Sequence, residues 1–412
     1  MITYIQLSDI HFRRYSGDAY DIDNDLRNEM IRDIRACYMA NQFSTAGVIV
    51  CGDIAFSGQD SEYEYADRFL EEVTNCINVK PSCVFCVPGN HDVNQNIPKS
   101  SFLVELLQDC LEEAADQIQL DYILSKIMRD RAAAEMLLSP IQAYQKFASK
   151  YVCNIDENKL FWEHVVKLNE KYNLKLVGIN SALISSAKDH ASRTTERKMR
   201  IGQCQLPLRT DNTVLLTICH HPPECWKDER NELQNKLDAR VNLQLYGHKH
   251  MLRLSANKSC LTVCSGAVHP DRFDGEWVPT YNWITLDVRE DDGKEYLDIQ
   301  IVPRMYDPQT NQFQDNTGIK SEERKFSLLL SEKPTTASTK QHIMTIDNLS
   351  WRKTFAYSFL KLPSVERERI LEEQGLSFPE DEGRLHYEII ADIIERAEKV
   401  GCVDTLLHIV TK

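Results

Sequence analysis

Apolar runs and amphipathic stretches alternate along the first part of the chain. Ile2–Leu7 and Val48–Cys51 are apolar runs of strand length. Between them, Asp23–Met39 repeats apolar side chains at helical spacing, at Leu26, Met30, Ile34 and Tyr38. Strands that alternate with amphipathic helices are typical of layered α/β domains.

The alternation continues until a long helical stretch interrupts it. A helix is expected to begin near Ser61, where Ser61 and Glu64 have capping-box spacing, and a third strand is expected over Val84–Val87. Residues 97–151 then have helical periodicity, which predicts an inserted helical cap. Strands are expected to resume at Leu174–Ile179, Val214–Cys219, Leu243–Tyr246, Leu261–Val263, Trp283–Val288 and Leu297–Val302. The pattern favours two stacked sheets with helices outside.

A break in composition follows this large domain, which we expect over residues 1–330. Residues 331–344 are polar, contain proline and lack periodicity, which predicts a linker. Residues 345–412 carry apolar side chains on one helical face, among them Tyr387, Ile390, Ile394 and Ala397. We therefore predict a small C-terminal all-α domain.

Composition narrows the class of protein. The 412 residues are 27% charged and 42% hydrophobic, as in folded soluble proteins. No run approaches the roughly 20 apolar residues of a membrane span, and the first residues lack the features of a signal peptide. Thirteen thinly spread cysteines suit reduced thiols, so we expect a cytoplasmic protein. A net charge of −14 argues against non-specific wrapping of nucleic acid.

Five short polar clusters carry the chemistry, and each follows an apolar run directly. In layered sheets, ligand sites form beyond the carboxyl ends of strands, where loops bring distant residues together. Their side chains are mainly carboxylates and imidazoles with one amide, which bind divalent first-row metals. The clusters are Asp9-Ile10-His11, Gly52-Asp53, Gly89-Asn90-His91-Asp92, His220-His221-Pro222 and Gly247-His248-Lys249-His250. Two ions bridged by a carboxylate are typical of phosphatases and nucleases, and Asp53 is the bridging candidate.

This ordered set resembles the calcineurin-like metallophosphoesterases, which include purple acid phosphatases, cyclic-nucleotide phosphodiesterases and double-strand-break repair nucleases. The resemblance covers roughly Met1 to Val302 and implies a four-layer αββα sandwich. It also implies that Asp53 bridges two divalent ions. The first ion would be bound by Asp9, His11 and His250, and the second by Asn90, His220 and His248.

The resemblance further implies roles near the substrate. His91 would act as general acid for the leaving oxygen. Asp92 would either orient His91 or cap the following turn, and His221 is expected to pack rather than to bind metal. Manganese is the expected metal, with iron, zinc, cobalt or nickel as alternatives. The implied mechanism is in-line attack by a metal-activated hydroxide.

Four arginines are candidate phosphate ligands, because a guanidinium can make bidentate contacts to phosphate. They are Arg13, Arg14, Arg193 and Arg197, and solvated surface charge is the alternative for each. Arg13 lies two residues after His11 and is predicted, together with Asn90, to bind substrate.

These features predict a phosphodiesterase that acts on nucleotides or nucleic acid. The helical insertion would either form the wall of a pocket for a small cyclic nucleotide or present a groove to a strand of nucleic acid. The basic run Arg193–Arg200 would favour binding of a nucleic-acid strand. A phosphomonoesterase or protein phosphatase is a further option, and a scaffold without catalysis is an alternative from another class.

The C-terminal unit suggests a possible protein partner. Its leucine-rich pattern, beginning Phe359-Leu360-Lys361-Leu362-Pro363, resembles small death-fold-like adaptor domains of bacterial conflict systems. That resemblance implies recruitment of the chain as a nuclease effector in phage defence. The alternative is a stabilising tail that packs on the sandwich.

Overall fold

The computed structural model describes residues 1–13, 23–190, 197–269, 278–330 and 346–411. Its strands are, in chain order, β1 (Ile2–Leu7), β2 (Thr45–Val50), β3 (Val84–Cys86), β4 (Phe161–Lys167), β5 (Asn173–Ile179), β6 (Thr213–Cys219), β7 (Leu243–Tyr246), β8 (Arg253–Ala256), β9 (Leu261–Cys264), β10 (Thr280–Asp291), β11 (Lys294–Asp307), β12 (Gln312–Asp315) and β13 (Lys325–Leu329). Its α-helices are α1 (Asn24–Asn41), α2 (Asp60–Cys76), α3 (Asn96–Ser100), α4 (Phe102–Glu112), α5 (Gln117–Arg129), α6 (Arg131–Leu138), α7 (Gln142–Ser149), α8 (Glu232–Arg240), α9 (Ile346–Lys361), α10 (Ser364–Glu373), α11 (Ile390–Val400) and α12 (Val403–Val410).

The strands form two mixed sheets. The first has the order β12-β11-β10-β1-β2-β3, with β13 paired to β11, and the second has the order β4-β5-β6-β7-β9-β8. Strands β1, β2 and β3 are parallel, as are β5, β6, β7 and β9. Parallel neighbours need a crossover, and α1 and α2 supply it in the first sheet. Within each sheet, the carboxyl ends of these strands therefore meet at one edge.

One hydrophobic core joins both sheets and the crossover helices. Helix α1 buries Met30 and Ile34, and α2 buries Leu70 and Val73, as their helical spacing requires. The same cluster contains apolar residues of both sheets. The predicted fold class is confirmed: two mixed sheets with helices, a helical insertion and a helical C-terminal region.

The structure corrects the predicted start of the second helix. Helix α2 begins at Asp60, and its capping box is formed by Gln59 and Glu62 rather than by Ser61 and Glu64. The Glu62 carboxylate accepts hydrogen bonds from the backbone N–H groups of Gln59 and Ser57, both at 3.0 Å. Glu62 is buried with its carboxylate bound to these two donors, so the helix is capped two residues before the position that Ser61 would cap.

Four strands lacked a sequence prediction, namely β4, β8, β12 and β13. Strand β8 is mostly exposed, and β12 buries one side chain, Phe313. Edge strands of this kind carry little apolar periodicity, since one or both faces meet solvent. Among the helices that the structure describes, none combines the length and apolar character needed to cross a lipid bilayer.

The helical insertion supports the loops that follow β3 and β5. Tyr144 of α7 donates to the carbonyl of Cys86 at 2.9 Å, at the end of β3. Gln108 of α4 donates to the carbonyls of Leu183 and Ser185, at 3.3 and 3.4 Å. The insertion is thus built into the sandwich rather than attached at its surface.

The C-terminal helices have their own core and also pack on the sandwich. Phe355, Phe359 and Ile394 lie in a cluster separate from the main core. Lys353 of α9 is 2% exposed, and its Nζ donates to the carbonyls of Val84 and Tyr151 at 2.7 and 2.5 Å. The predicted linker, 331–344, lies outside the described residues, so the division into two domains stays a prediction.

Replacement of Lys353 by methionine tests this docking contact. Lys353→Met keeps the length of the side chain but leaves two buried carbonyls without their charged donor. We expect the free energy of unfolding to fall by about 2 kcal/mol, measured by urea denaturation with circular dichroism. The control is Lys399→Met, because Lys399 is 78% exposed in the same helical unit. Equal stability of the two variants would contradict the docking role.

Candidate metal centre

The five polar clusters of the sequence converge at the carboxyl ends of the strands. Asp9 and His11 follow β1, and Asp53 and Asn90 follow β2 and β3. From the second sheet, β6 is followed by His220, and β7 by His248 and His250. Because these strands are parallel within each sheet, loops far apart in sequence supply one site.

Asp53 lies between histidines that the sequence analysis assigned to different metal ions. Its Oδ2 is 3.2 Å from His220 Nε2 and 3.6 Å from His11 Nε2. The Asp53 side chain is almost fully buried, which keeps the carboxylate away from bulk water. This position suits a carboxylate that bridges two ions.

The remaining predicted ligands surround Asp53 on both sides. Asp9 Oδ1 is 3.2 Å from His250 Nε2 and 3.9 Å from His11 Nε2. On the other side, Asn90 Oδ1 is 3.2 Å from His220 Nε2. Three groups have ligand atoms within 4.8 Å of one another, namely Asp9 with His11 and His250, Asp9 with Asp53 and His220, and His220 with His221 and His248.

His221 lies closer to the candidate ligands than the sequence analysis expected. It belongs to one of the three groups, and its ring centroid is 4.5 Å from that of His248. Its Nδ1 is hydrogen-bonded to Ser181 Oγ at 2.8 Å. Burial, and then the neighbouring His248 and His220, hold the pKa of His221 well below its usual value, so it is a neutral neighbour of the site.

Two polar residues that support the site were missed by sequence reasoning. Ser8 Oγ donates to Asp9 Oδ2 at 2.5 Å, and Ser181 holds His221. The carbonyl of Cys51 accepts from His220 Nδ1 at 2.8 Å, which turns Nε2 toward Asp53 and Asn90. A serine in the loop after a strand carries no distinctive pattern, so only the position of Ser8 beside Asp9 could have suggested it.

Two buried ligand atoms make a direct case for a cation. Within the described part of the chain, Asp9 Oδ1 and His11 Nε2 are buried and have no hydrogen-bond partner. Leaving such atoms unsatisfied costs about 1–3 kcal/mol each. A divalent ion coordinated by both would satisfy them, and the imidazole and carboxylate donors fit first-row metals. The identity of the metal, manganese by expectation, stays a prediction.

The electrostatics of the site favour ionised carboxylates. Burial alone would raise the pKa of Asp9, but the nearby imidazoles of His11 and His250 hold it well below its usual value. Burial likewise opposes ionisation of Asp53, and the nearby His220 and His91 outweigh it and lower its pKa. For His220, burial lowers the pKa, and the opposing charge of Asp53 raises it to about 9. Anionic carboxylates in a buried cluster attract cations.

The backbone at the site is strained. Five candidate ligands have a backbone φ between 51° and 68°, in the left-handed region that residues other than glycine rarely adopt. They are Asp9, His11, Asp53, His248 and His250. Each such residue costs on the order of 1–3 kcal/mol and persists where its surroundings fix it. Here the N–H groups of Ile10 and His11 both donate to the Asp53 carbonyl, at 2.9 and 3.0 Å.

Two glycines allow the loops to approach this closely. A Cβ on Gly89 would lie 2.1 Å from Asp53 Oδ1. A Cβ on Gly52, whose φ is +89°, would lie 2.6 Å from His220 Nδ1. Both glycines are therefore required by the close packing of the loops around Asp53 and His220.

His91 is held beside the candidate ligands without being one of them. Its Nδ1 is hydrogen-bonded to the carbonyl of Phe56 at 2.9 Å, and its ring centroid is 4.6 Å from that of His11. Its backbone N–H donates to Asp53 Oδ1 at 2.8 Å. This position at the edge of the site suits a group that acts on substrate, and the general-acid role stays a prediction.

Asp92 contacts backbone rather than forming an open catalytic carboxylate. It is fully buried and accepts from the N–H groups of Ala55 and Gly89, both at 2.9 Å, and from Tyr63 Oη at 2.8 Å. Burial, and then the charge of Asp53, raises its pKa to about 6. These bonds link the loop after β2 to the loop after β3. This structural role is similar to the predicted alternative in which Asp92 caps a turn. A catalytic role stays a prediction.

Two of the four candidate arginines lie in the described part of the chain, and their environments differ. Arg13 is exposed, and its guanidinium lies 3.9 Å above the ring of Phe56, which neighbours His91. Arg197 donates to Glu112, Ser186 and Asp189 at 2.9–3.0 Å, so its guanidinium is engaged within the chain. Arg14 and Arg193 lie outside the described residues.

Comparison with known proteins identifies a family for this arrangement. A family sequence model described as calcineurin-like phosphoesterase matches residues 2–252. No match was found among curated proteins.

The solved structures that match this chain have low sequence identity to it. A mutant of Vps29 from Entamoeba histolytica is 9% identical, covers 80% of this chain and 99% of its own, and has a TM-score of 0.32. Vacuolar protein sorting 29 from Cryptosporidium parvum is 11% identical, with 80% and 98% covered and a TM-score of 0.32. The sulfate thiohydrolase SoxB from Thermus thermophilus is 14% identical, with 73% and 56% covered and a TM-score of 0.32. The family assignment therefore rests on the sequence model.

Gly89→Ala tests whether the tight loop packing positions the ligands. The added methyl group would displace the Asp53 carboxylate, so we expect the content of bound divalent metal to fall by at least half. Elemental analysis of the purified protein measures this, and circular dichroism checks that the variant is folded. The control is Gly318→Ala, where the nearest described atom to an added Cβ is Asn316 Oδ1 at 3.1 Å. Unchanged metal content in Gly89→Ala would refute the packing argument.

Proposed function

The chain belongs to the calcineurin-like phosphoesterase family, and from that premise we propose that it is a dinuclear-metal-dependent phosphodiesterase that hydrolyses phosphodiester bonds of nucleotides or nucleic acid. The observation that carries the proposal is the position of Asp53. Its carboxylate faces His11 on one side and His220 on the other, and the buried atoms His11 Nε2 and Asp9 Oδ1 have no hydrogen-bond partner in the described structure.

The chemistry that two bound ions would supply is activation of water and polarisation of the phosphoryl oxygens. Asp9, His11 and His250 would hold one ion, Asn90, His220 and His248 the other, and Asp53 would hold both. The lowered pKa values of Asp9 and Asp53 keep both side chains anionic, so the chain offers two carboxylates to the cations. All seven predicted ligands come together, which disfavours the scaffold without catalysis.

Two residues at the rim of the centre are proposed to act on the substrate. The carbonyl of Phe56 fixes the ring of His91 through Nδ1, and the ring would protonate the leaving oxygen. Arg13 would bind a phosphate oxygen, because its guanidinium is exposed and positioned by the ring of Phe56. The aromatic rings of Phe56 and His91 beside the Arg13 guanidinium suit a nucleotide, because a base stacks on aromatic rings.

The contacts of the basic run 197–200 favour a small nucleotide over a nucleic-acid strand as the substrate. Arg200 is buried and donates to the carbonyl of Glu112 at 2.7 Å, and Lys198 donates to the carbonyl of Glu224. Arg197 is paired with Glu112 and Asp189. Cations engaged in this way are poorly placed to neutralise the phosphates of a polynucleotide. A nuclease effector recruited through residues 345–412 is the second candidate.

A substrate panel tests the reaction class. We expect manganese-dependent hydrolysis of bis-p-nitrophenyl phosphate to exceed that of p-nitrophenyl phosphate, with cyclic AMP cleaved and single-stranded DNA cleaved more slowly. Asp53→Ala is expected to reduce turnover to the level seen with chelator, because both ions lose their shared ligand. Absorbance at the p-nitrophenolate band and chromatography of the nucleotides measure this.

The matched control is Asp211→Ala, which removes an exposed carboxylate just before β6, at the opposite end of that strand from His220. Its turnover should equal that of wild type. Preference for DNA over cyclic AMP would favour the nuclease candidate. Absence of turnover with every substrate and metal would overturn the proposal and favour the scaffold.

His91→Asn tests the general acid through the leaving group. A poor leaving group needs its oxygen protonated, whereas p-nitrophenolate leaves readily without a proton. We expect turnover of cyclic AMP to fall by about 10²-fold or more and that of bis-p-nitrophenyl phosphate to fall much less. Equal losses for the two substrates would instead indicate that His91 only positions other groups.

A further inference from the structure

A cleft of about 460 Å³ lies between the sandwich and the C-terminal helices, apart from the metal centre. One wall is formed by the start of α2 and by the insertion, with Asp60, Lys146 and Lys150. The opposite wall is formed by the C-terminal helices, with Arg367 and His386. In the described structure, none of the seven candidate metal ligands lines it.

The cleft is cationic in an acidic protein. Three cations and one carboxylate line it, against a net charge of −14 for the whole chain. Asp60 is paired with Lys146 at 3.0 Å, and Lys150 is paired with Asp67 of α2. The surplus positive charge is that of Arg367, which makes no ion pair in the described structure. A surplus cation in a cleft favours an anionic occupant.

Arg367 carries the strongest indication of a missing partner. Its Nε is buried and has no hydrogen-bond partner among the described residues. By contrast, Arg369 lies two residues away on the same helix and pairs with Glu366 and Glu373. The residue as a whole is only partly buried and lines the cleft, so its guanidinium can donate charge-assisted hydrogen bonds to a phosphate oxygen bound there.

The rest of the lining has the character of a site for a small organic molecule. Apolar and aromatic surface lies beside the cations and is formed by Ile97, Pro140, Leu360 and Tyr387. The volume falls in the range of about 300–1,000 Å³ that is usual for ligand sites. A free phosphate would fill only part of it, whereas a mononucleotide combines an anionic group with a ring that can pack on apolar surface.

We propose that this cleft is a second ligand site, which binds a phosphorylated small molecule of mononucleotide size. The phosphate contacts Arg367 and Lys146, and the remainder packs against the apolar lining. The occupant bridges the sandwich and the C-terminal helices, so its binding holds the two together. The inference stands independently of the phosphodiesterase proposal.

Calorimetric titration of the full chain tests the site, with AMP, inorganic phosphate and adenosine as probes. Chelator is present, so the metal centre does not contribute, and failure of the phosphodiesterase proposal leaves this measurement intact. We expect AMP to bind wild type and Asp53→Ala alike, and adenosine to bind about tenfold or more weakly, because it lacks the phosphate. AMP binding should also raise the melting temperature.

Three variants locate the bound probe. Arg367→Gln and Lys146→Gln should each raise the Kd for AMP by about tenfold or more. Arg369→Gln removes the same charge from the same helix away from the cleft and should leave the Kd unchanged. The proposal is overturned if neither AMP nor phosphate binds wild type. It is equally overturned if Asp53→Ala abolishes binding while Arg367→Gln retains it, or if Arg369→Gln weakens binding as much as Arg367→Gln does.

Discussion

Asp53 connects the ends of four strands from both sheets. It follows β2, its carbonyl accepts from Ile10 and His11 after β1, and its Oδ1 accepts from the N–H of His91 after β3. Its Oδ2 faces His220, which follows β6 of the second sheet. A displacement of this residue would therefore disturb four of the five loops that supply candidate ligands. The distances between ligands are determined jointly by the sheet registers and by this one buried carboxylate.

Holding Asp53 and its neighbours in place works against local stability. Buried carboxylates lose hydration, and five of the seven candidate ligands have left-handed backbone conformations. The compensation comes from outside the site, because the strands that carry it belong to a single core spanning both sheets. Buried unpartnered atoms of Asp9 and His11 add a further cost, which a bound cation would remove. A stable scaffold thus maintains a site that is unfavourable on its own and favourable when metal is bound.

The sequence was sufficient to predict the fold class and the convergence of the ligands, because both depend on regular features. Apolar runs mark the strands, and polar clusters at strand ends must meet when the strands are parallel. Side-chain contacts between distant loops could not be predicted. Asp92 is an example: its hydrogen bonds to Ala55 and Gly89 depend on the exact approach of two loops. Arg197 is another, since its pairing with Glu112 requires knowledge of how the insertion packs.

The short strand β3 links the candidate metal centre to the C-terminal helices. Val84, at its start, accepts a hydrogen bond from the buried Lys353 of α9. Its end leads through Gly89 to Asn90 and His91. The cleft that contains Arg367 lies at the same junction, and its lining includes Asn94, four residues after Asn90. The C-terminal helices therefore contact the strand that precedes a candidate metal ligand, and they share a cleft with the loop that follows it.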